Sequence, residues 1–454
     1  MSPCAGRAAE GPGAVRSASS VLLDMAKGHP DPALLPREAL AEACAHAATD
    51  FSSGSARGLP YGSQPRGSTA FLAELAAFIE RQCPAEVAAR ADGLLLTNGV
   101  SHGLELVCSV FSQPGEAVLV EAPSYWLALG IFQSRGLEVV PVPTDAEGLL
   151  VGAAEDILNR RPEGSPRARF LYTVPTSHNP TGSSLPAERR RALVDMARRW
   201  GLLVLADEVY HLLDWHAPQK RPPRMVFFDE AYSTNPVQPI DGAENDDPAY
   251  GDAAASPGQF LSHPDSGDVE SLEPAVISVS SFTKILAPGL RVGWIEAAPV
   301  IIESLSSTGY LRSGGCVATF AADAILGHVL KSRDADAVLA SLVAEYRSRA
   351  KRLVAALEDV GLPPLVQPQG GYFLWVPMGV DSREVLEIAK AKHAVTFMPG
   401  TSYDAPGSSE LAQCARLCFA RLSSEELEEG VRRLAKAVSE VAQRSQAPHM
   451  TSPG

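Results

Sequence analysis

Between Leu94 and Ser281 the chain repeatedly sets a short, unbroken run of Val, Leu and Ile against a helix-like segment. "LLLTNG" leads into "VSHGLELVCSVF", and "AVLVEAPSY" into "WLALGIFQSRG". "VVPVPTD", "RFLYTVPTSHNPTG", "AERRRALVDMARRW", "GLLVLADEVY" and "AVISVSSFTK" continue the alternation. Strands buried on both faces read as continuous apolar runs, so this spacing predicts an α/β fold with a mostly parallel, doubly covered sheet. It also places any ligand beyond the carboxyl ends of the strands.

At 454 residues the chain is too long for one ordinary core. The expected division is an N-terminal arm and segment (1–55) packing on the small domain, a large α/β domain (56–298) and a smaller α+β domain (299–445). A disordered tail (446–454) follows. Within the large domain, residues 216–272 turn rich in Pro, Asp, Gly, Ser and Asn. Such a stretch buries too little apolar area to offset its ordering entropy, which predicts a disordered acidic insertion.

The net charge of -14 speaks against a nucleic-acid or anionic-membrane surface. Seven scattered cysteines without a CxxC pair suit a reducing compartment. The first twenty residues read as a flexible arm of a cytoplasmic protein; a mitochondrial address is the weaker reading, since Glu10 suits a transit peptide poorly. His29, His102, His178 and His211 share no metal-ligand spacing, so no metal is expected and capping or solvated roles are assigned to them. "RRRALVDMARR" reads as a solvated helix face, and Cys316 as a passive thiol.

The informative residues follow the strands. After "LLLT" come Asn98, Gly99, Val100 and Ser101, which open a helix and offer either an anion site or an ordinary cap. After "FLYTVP" comes Asn179, before a Pro-Thr-Gly turn. After "LLVLA" come Asp207 and Tyr210; a carboxylate ending a buried strand needs a cation or a proton donor. After "VISVS" come Ser281, Lys284 and Arg291, either a solvated strand end or a reactive lysine beside an anion cradle. Together they put an anion cradle, an acid, a phenol, an amide and a lysine on one sheet edge.

In combination "LPYGSQPRG", "TNGVSHGLEL", "EAPSYW", "HNPTG", "ADEVY", "SFTKILAPGLRVGW", "GGYFLW", "FMPG" and "ARLCFA" resemble the class I/II, fold-type-I pyridoxal-phosphate-dependent aminotransferases. The resemblance implies a seven-stranded-type sheet and a small C-terminal domain. It makes Lys284 the Schiff-base lysine and general base, and puts Asp207 against the ring nitrogen of pyridoxal 5′-phosphate. Tyr210 and Asn179 would face the phenolic oxygen, and Tyr125 would stack on the ring. Ser281, Arg291, Ser101 and the backbone of Gly99 and Val100 would hold the phosphate. Tyr61 would reach it from a neighbouring subunit, which implies a homodimer. Arg416, with Asn179, would bind the substrate α-carboxylate, and Gly28 lies in the segment that closes over substrate.

The implied reaction moves an amino group from an L-α-amino acid to a 2-oxo acid such as 2-oxoglutarate. "YTVPTSHNPTG" and "TGYLRSGGC" are most similar to the kynurenine, aromatic and 2-aminoadipate branch. Ser280, Val100, His102, Leu72 and Gln413 depart from the usual family residues, and none removes a required group. Lyase, decarboxylase or synthase chemistry would use the same core. A cofactor-binding regulator is disfavoured, because about twenty residues before "LLDMAKG" are too few for a helix-turn-helix module.

Overall fold

The computed structural model describes residues 21–55, 58–59, 65–84, 88–234, 273–314, 319–403 and 410–446. Thirteen strands are present among them. In chain order they are β1 (Leu23–Asp24), β2 (Leu94–Thr97), β3 (Ala117–Ala122), β4 (Glu138–Asp145), β5 (Gly148–Leu149), β6 (Ala168–Thr173) and β7 (Leu203–Asp207). Then come β8 (Val276–Ser281), β9 (Gly293–Ala297), β10 (Phe373–Pro377), β11 (Val395–Thr396), β12 (Met398–Pro399) and β13 (Cys414–Cys418).

The main sheet runs β2-β9-β8-β7-β6-β3-β4-β5, seven strands plus the two-residue β5. Adjacent strands from β8 through β7, β6 and β3 to β4 are parallel, while β9 is antiparallel to both β2 and β8. Strands β2, β3 and β6 to β9 are buried on both faces, with exposure no higher than 9% along β7 or β8, while β4 near the edge is partly exposed. This is the doubly covered sheet that their continuous apolar runs require. Only β9 and the two-residue edge strand β5 run the other way, so β2, β3, β6, β7 and β8 all deliver their carboxyl ends to one edge.

The small domain is a three-stranded antiparallel sheet, β10-β13-β12. It is accompanied by the helices Asp334–Asp359, Ser382–His393 and Ser424–Gln446, which pack on one another or beside its strands. β1 pairs with β11 and carries the N-terminal segment onto this domain. Buried Arg349 fastens that segment by pairing with Asp31 at 2.9 Å and donating to the Ala420 carbonyl.

Three boundaries differ from the sequence reading. Pro299–Ser306 packs on β2 and β9, and Phe320–Lys331 on the helix Thr69–Gln82, so both belong to the large domain and the division falls near Arg333. Arg37–Ser52 likewise lies on Phe320–Lys331 rather than on the small domain. Residues 216–234, assigned to the disordered insertion, are folded: Met225, Val226 and Tyr232 are fully buried, and Arg224 pairs with buried Glu296. Window composition concealed this, because "MVFF" is too short to outweigh the polar sequence beyond it. Residues 235–272 and 447–454 lie outside the described residues.

Candidate active site

The carboxyl edge of the main sheet and the small domain border a cavity of about 400 Å³. Every predicted site residue among the described ones lines it except Gly99, which sits directly behind Arg291. Tyr61 and Cys316 lie outside the described residues.

Lys284 follows β8 by three residues. Its Nζ donates to the Gly28 carbonyl at 2.7 Å and lies 5.3 Å from the centre of the Tyr372 ring. The Tyr372 hydroxyl in turn donates to the Lys284 carbonyl at 2.8 Å. Burial lowers the Lys284 pKa to about 8, and the Arg416 cation adds to the fall. The amine is therefore poised near neutrality instead of carrying a permanent charge.

Asp207 ends β7 and is 3% exposed. The proton donor it needs comes from the chain itself: the Tyr172 hydroxyl donates to Oδ2 at 3.0 Å, and the Val209 N–H to Oδ1 at 3.4 Å. Burial raises its pKa to about 6 against these hydrogen bonds. Tyr172 lies opposite Leu205 in the β6–β7 register, which puts Asp207 two positions along on the same face. Tyr210 is buried, and that burial holds its phenol well above the usual range. Half-buried Tyr125 is raised to about 12, first by burial, and so presents a neutral hydroxyl.

The anion cradle is built by strand pairing. Gly293 lies between Thr97 and Ser281 across β2-β9-β8. A Cβ on Gly293 would stand 2.6 Å from the Ser280 carbonyl oxygen and 2.8 Å from the Gly99 Cα, so only glycine lets these backbones meet. Gly99 itself has φ 92, and a Cβ there would stand 2.8 Å from Arg291 Nη2. Arg291 donates to the Asn98 carbonyl at 2.9 Å, while the Ser281 hydroxyl lies 2.7 Å from that of Thr283. The helix Val100–Phe111 starts here, with exposed Ser101 in its first turn. A guanidinium, several hydroxyls and a helix N-terminus form a donor set for a phosphate dianion.

At the other end of the cavity, Arg416 on β13 stacks on Phe373, its guanidinium carbon 4.0 Å from the ring centre. Nη1 donates to Asn179 Oδ1 at 3.0 Å and Nη2 to the Ala26 carbonyl; buried Nε has no partner. The segment carrying Ala26 and Gly28 thus touches both Arg416 and Lys284.

Sequence reasoning missed Tyr172, Tyr372 and Phe373. The sequence shows only a tyrosine inside an apolar run and two aromatics directly after "GG", which strand register and tertiary contact are needed to bring beside Asp207 and Arg416. Two assignments are corrected. His178 and His211 are buried rather than solvated, and His178 Nδ1 caps its own turn by accepting from the Thr181 N–H at 3.5 Å. His178 Nε2 lies 3.0 Å from Glu121, a carboxylate that accepts from Thr173 and Val174. Arg190, read as part of a solvated helix face, is fully buried and donates to the Leu185, Pro175 and Pro223 carbonyls and to Thr176. A cation among arginines in sequence gives no sign of which one turns inward.

Among the described residues no helix is long and apolar enough to cross a membrane. No group of three His, Cys, Asp or Glu among them could hold a metal ion.

The family model for aminotransferase class I and II matches residues 31–434. The chain is 31% identical to the 2-aminoadipate transaminase of Thermus thermophilus, over 92% of this chain and 90% of that one. It is 28% identical to aromatic-amino-acid aminotransferase 1 of Thermococcus litoralis, over 93% and 89%. Among solved structures, the α-aminoadipate aminotransferase of Thermus thermophilus complexed with N-(5′-phosphopyridoxyl)-L-leucine superposes with a TM-score of 0.73 at 27% identity, covering 93% of both chains. The multiple substrate aminotransferase of Thermococcus profundus gives 0.75 at 26%, covering 94% and 93%.

Proposed function

The chain belongs to the class I and II aminotransferase family, and from that premise we propose that it is a pyridoxal-phosphate enzyme passing amino groups from aromatic or 2-aminoadipate-type L-amino acids to 2-oxoglutarate. The observation that carries the reading is the convergence of Lys284, Asp207, Tyr210, Asn179 and Arg416 on one cavity.

The cradle at Gly99 and Gly293, which admits no side chain, fits the cofactor phosphate, with Arg291, Ser281, Ser101 and the first amides of the helix as its holders. Asp207 fits the ring nitrogen, Tyr210 and Asn179 the phenolic oxygen, and Tyr125 the ring face. When bound, pyridoxal 5′-phosphate supplies an aldehyde that takes up an amino group and a ring that accepts electron density.

The protein's own residues do the rest. Arg416 binds the substrate carboxylate through its fork, held flat on Phe373 and steered by Asn179. Lys284 Nζ removes the substrate α-proton and returns it, which a pKa of about 8 permits at neutral pH. The segment around Gly28 covers the reacting groups and limits water access. Apolar walls from Trp126, Leu127 and Met398 suit an aromatic or long aliphatic side chain, while Lys27 at the rim suits a second carboxylate.

The exposed aromatic and aliphatic faces of Trp126, Leu127 and Tyr310 support a homodimer that covers the cavity mouth. We place the protein in the cytoplasm on its scattered cysteines, of which the five among the described residues are free thiols. The test is a screen of amino donors against 2-oxoglutarate with wild type and Lys284→Ala. Aromatic or 2-aminoadipate donors should turn over, and the variant should lose both the cofactor's visible band and the activity. Full activity in the variant refutes the assignment.

A further inference from the structure

Tyr172 is fully buried in the middle of the main sheet, next to the site yet outside the cavity lining. Its ring is wedged edge-on against Phe132, with centroids 5.3 Å apart, and its hydroxyl donates to Asp207 Oδ2 at 3.0 Å. We propose that Tyr172 is a positioning residue of the reaction: its hydroxyl fixes the orientation of the Asp207 carboxylate and keeps it an acceptor for the proton on the cofactor ring nitrogen. The inference rests on the assignment of Asp207 made above.

A buried carboxylate stays ionised only while donors hold it. Asp207 has two, and the Val209 N–H at 3.4 Å is the longer. Lys284, Glu208, Tyr125 and Tyr210 are the other titratable groups near it, and Glu208 opposes its ionisation. Without the Tyr172 hydroxyl the carboxylate becomes a stronger base and draws the ring proton toward itself. The ring then withdraws electrons less well. Tyr172 in turn is kept in its donating form by burial, with Asp207 and Glu121 adding to the effect.

The test uses holoenzyme carrying Y172F, which leaves the phenyl ring in its slot. The expected result is a kcat lower by about tenfold, the worth of one hydrogen bond to a charged group, with KM for the amino donor within about twofold. The pH midpoint of the cofactor's visible band should move upward, because weaker positive charge on the ring repels a neighbouring proton less. Y232F deletes an equally buried phenol that donates to Glu296 at 2.7 Å, outside the cavity lining, and should change neither kcat nor the midpoint.

Wild-type kcat and midpoint in Y172F overturn the proposal. Should Y172F not accumulate, Tyr172→His keeps a ring donor: a wild-type midpoint supports the proposal, and one matching Asp207→Ala overturns it. Asp207→Ala run in parallel separates the two levels. If it too leaves the midpoint unmoved, the assignment of Asp207 fails; if it alone moves it, only the role of Tyr172 fails.

Discussion

Gly28→Ala tests whether the N-terminal segment sets the geometry of the site. A Cβ on Gly28 would stand 2.6 Å from the tip of the Phe373 ring, about 1 Å inside an ordinary carbon contact. Phe373 is 2% exposed, carries Arg416 on its face and packs edge-on against Tyr210, so it has little room to give. The segment must instead back away by roughly an ångström, which lengthens the contacts of Gly28 with Lys284 and of Ala26 with Arg416. Misplacement of that size at reacting groups costs up to about 100-fold in rate, while overpacking one methyl costs about 1–3 kcal/mol of stability. We expect kcat/KM to fall about 10–100-fold with a melting temperature lowered by only a few degrees. A steady-state assay beside a thermal melt reads both. Wild-type kcat/KM in a folded Gly28→Ala protein would refute the reasoning.

Other outcomes follow from buried charges. Lys284 has a folded pKa of about 8 against an ordinary 10.5, so the folded cofactor-free protein binds fewer protons than the unfolded chain between those values. Stability therefore rises with pH through that window, and below it the buried charge costs at most about 3 kcal/mol. Lys284→Met should stabilise the cofactor-free protein toward urea at pH 7, with the gain shrinking by pH 10; no gain at pH 7 contradicts this. Arg190→Met strands the carbonyls of Leu185 and Pro223, while that of Pro175 keeps the Leu185 N–H, and should cost about 3 kcal/mol by denaturant titration. A loss below about 1 kcal/mol would show those contacts to be idle. Asp229 accepts from the amides of Ala275 and Val276 and from Arg198, closing the root of residues 235–272. Replacing 235–272 by a short Gly-Ser linker should leave kcat unchanged, whereas Asp229→Ala should lower the melting temperature. Loss of turnover on shortening would give the replaced residues a part in catalysis.

The main sheet was legible because its central strands are buried on both faces, so the code is simply unbroken apolar runs. The site was legible for a related reason: polar residues that end such runs have one edge on which to meet. Asp207 even announced its need for a donor, but not its source. Tyr172 stands inside an apolar run, where a tyrosine is indistinguishable from core until strand register is known. Phe373 and Tyr372 escaped for the same reason, since an aromatic under a cation has the composition of ordinary packing. The domain boundary failed differently. Pro299–Ser306 and Phe320–Lys331 are apolar helices that would suit either core, and only tertiary contact assigns them. Arg190 is the limiting case, for its neighbours in sequence share its charge and its helix but not its direction.

The reversed strand β9, set between β2 and β8, has a consequence for how the protein matures. Asn98, Ser281 and Arg291 are almost two hundred residues apart at the extremes, and only the three-strand pairing through Gly293 gathers them. No fragment ending before β9 contains the cradle, so a phosphate-bearing ligand recognises only chains whose sheet has closed. Cofactor capture during refolding would then lag behind burial of the central strands and report completed tertiary assembly, with no part in nucleating it.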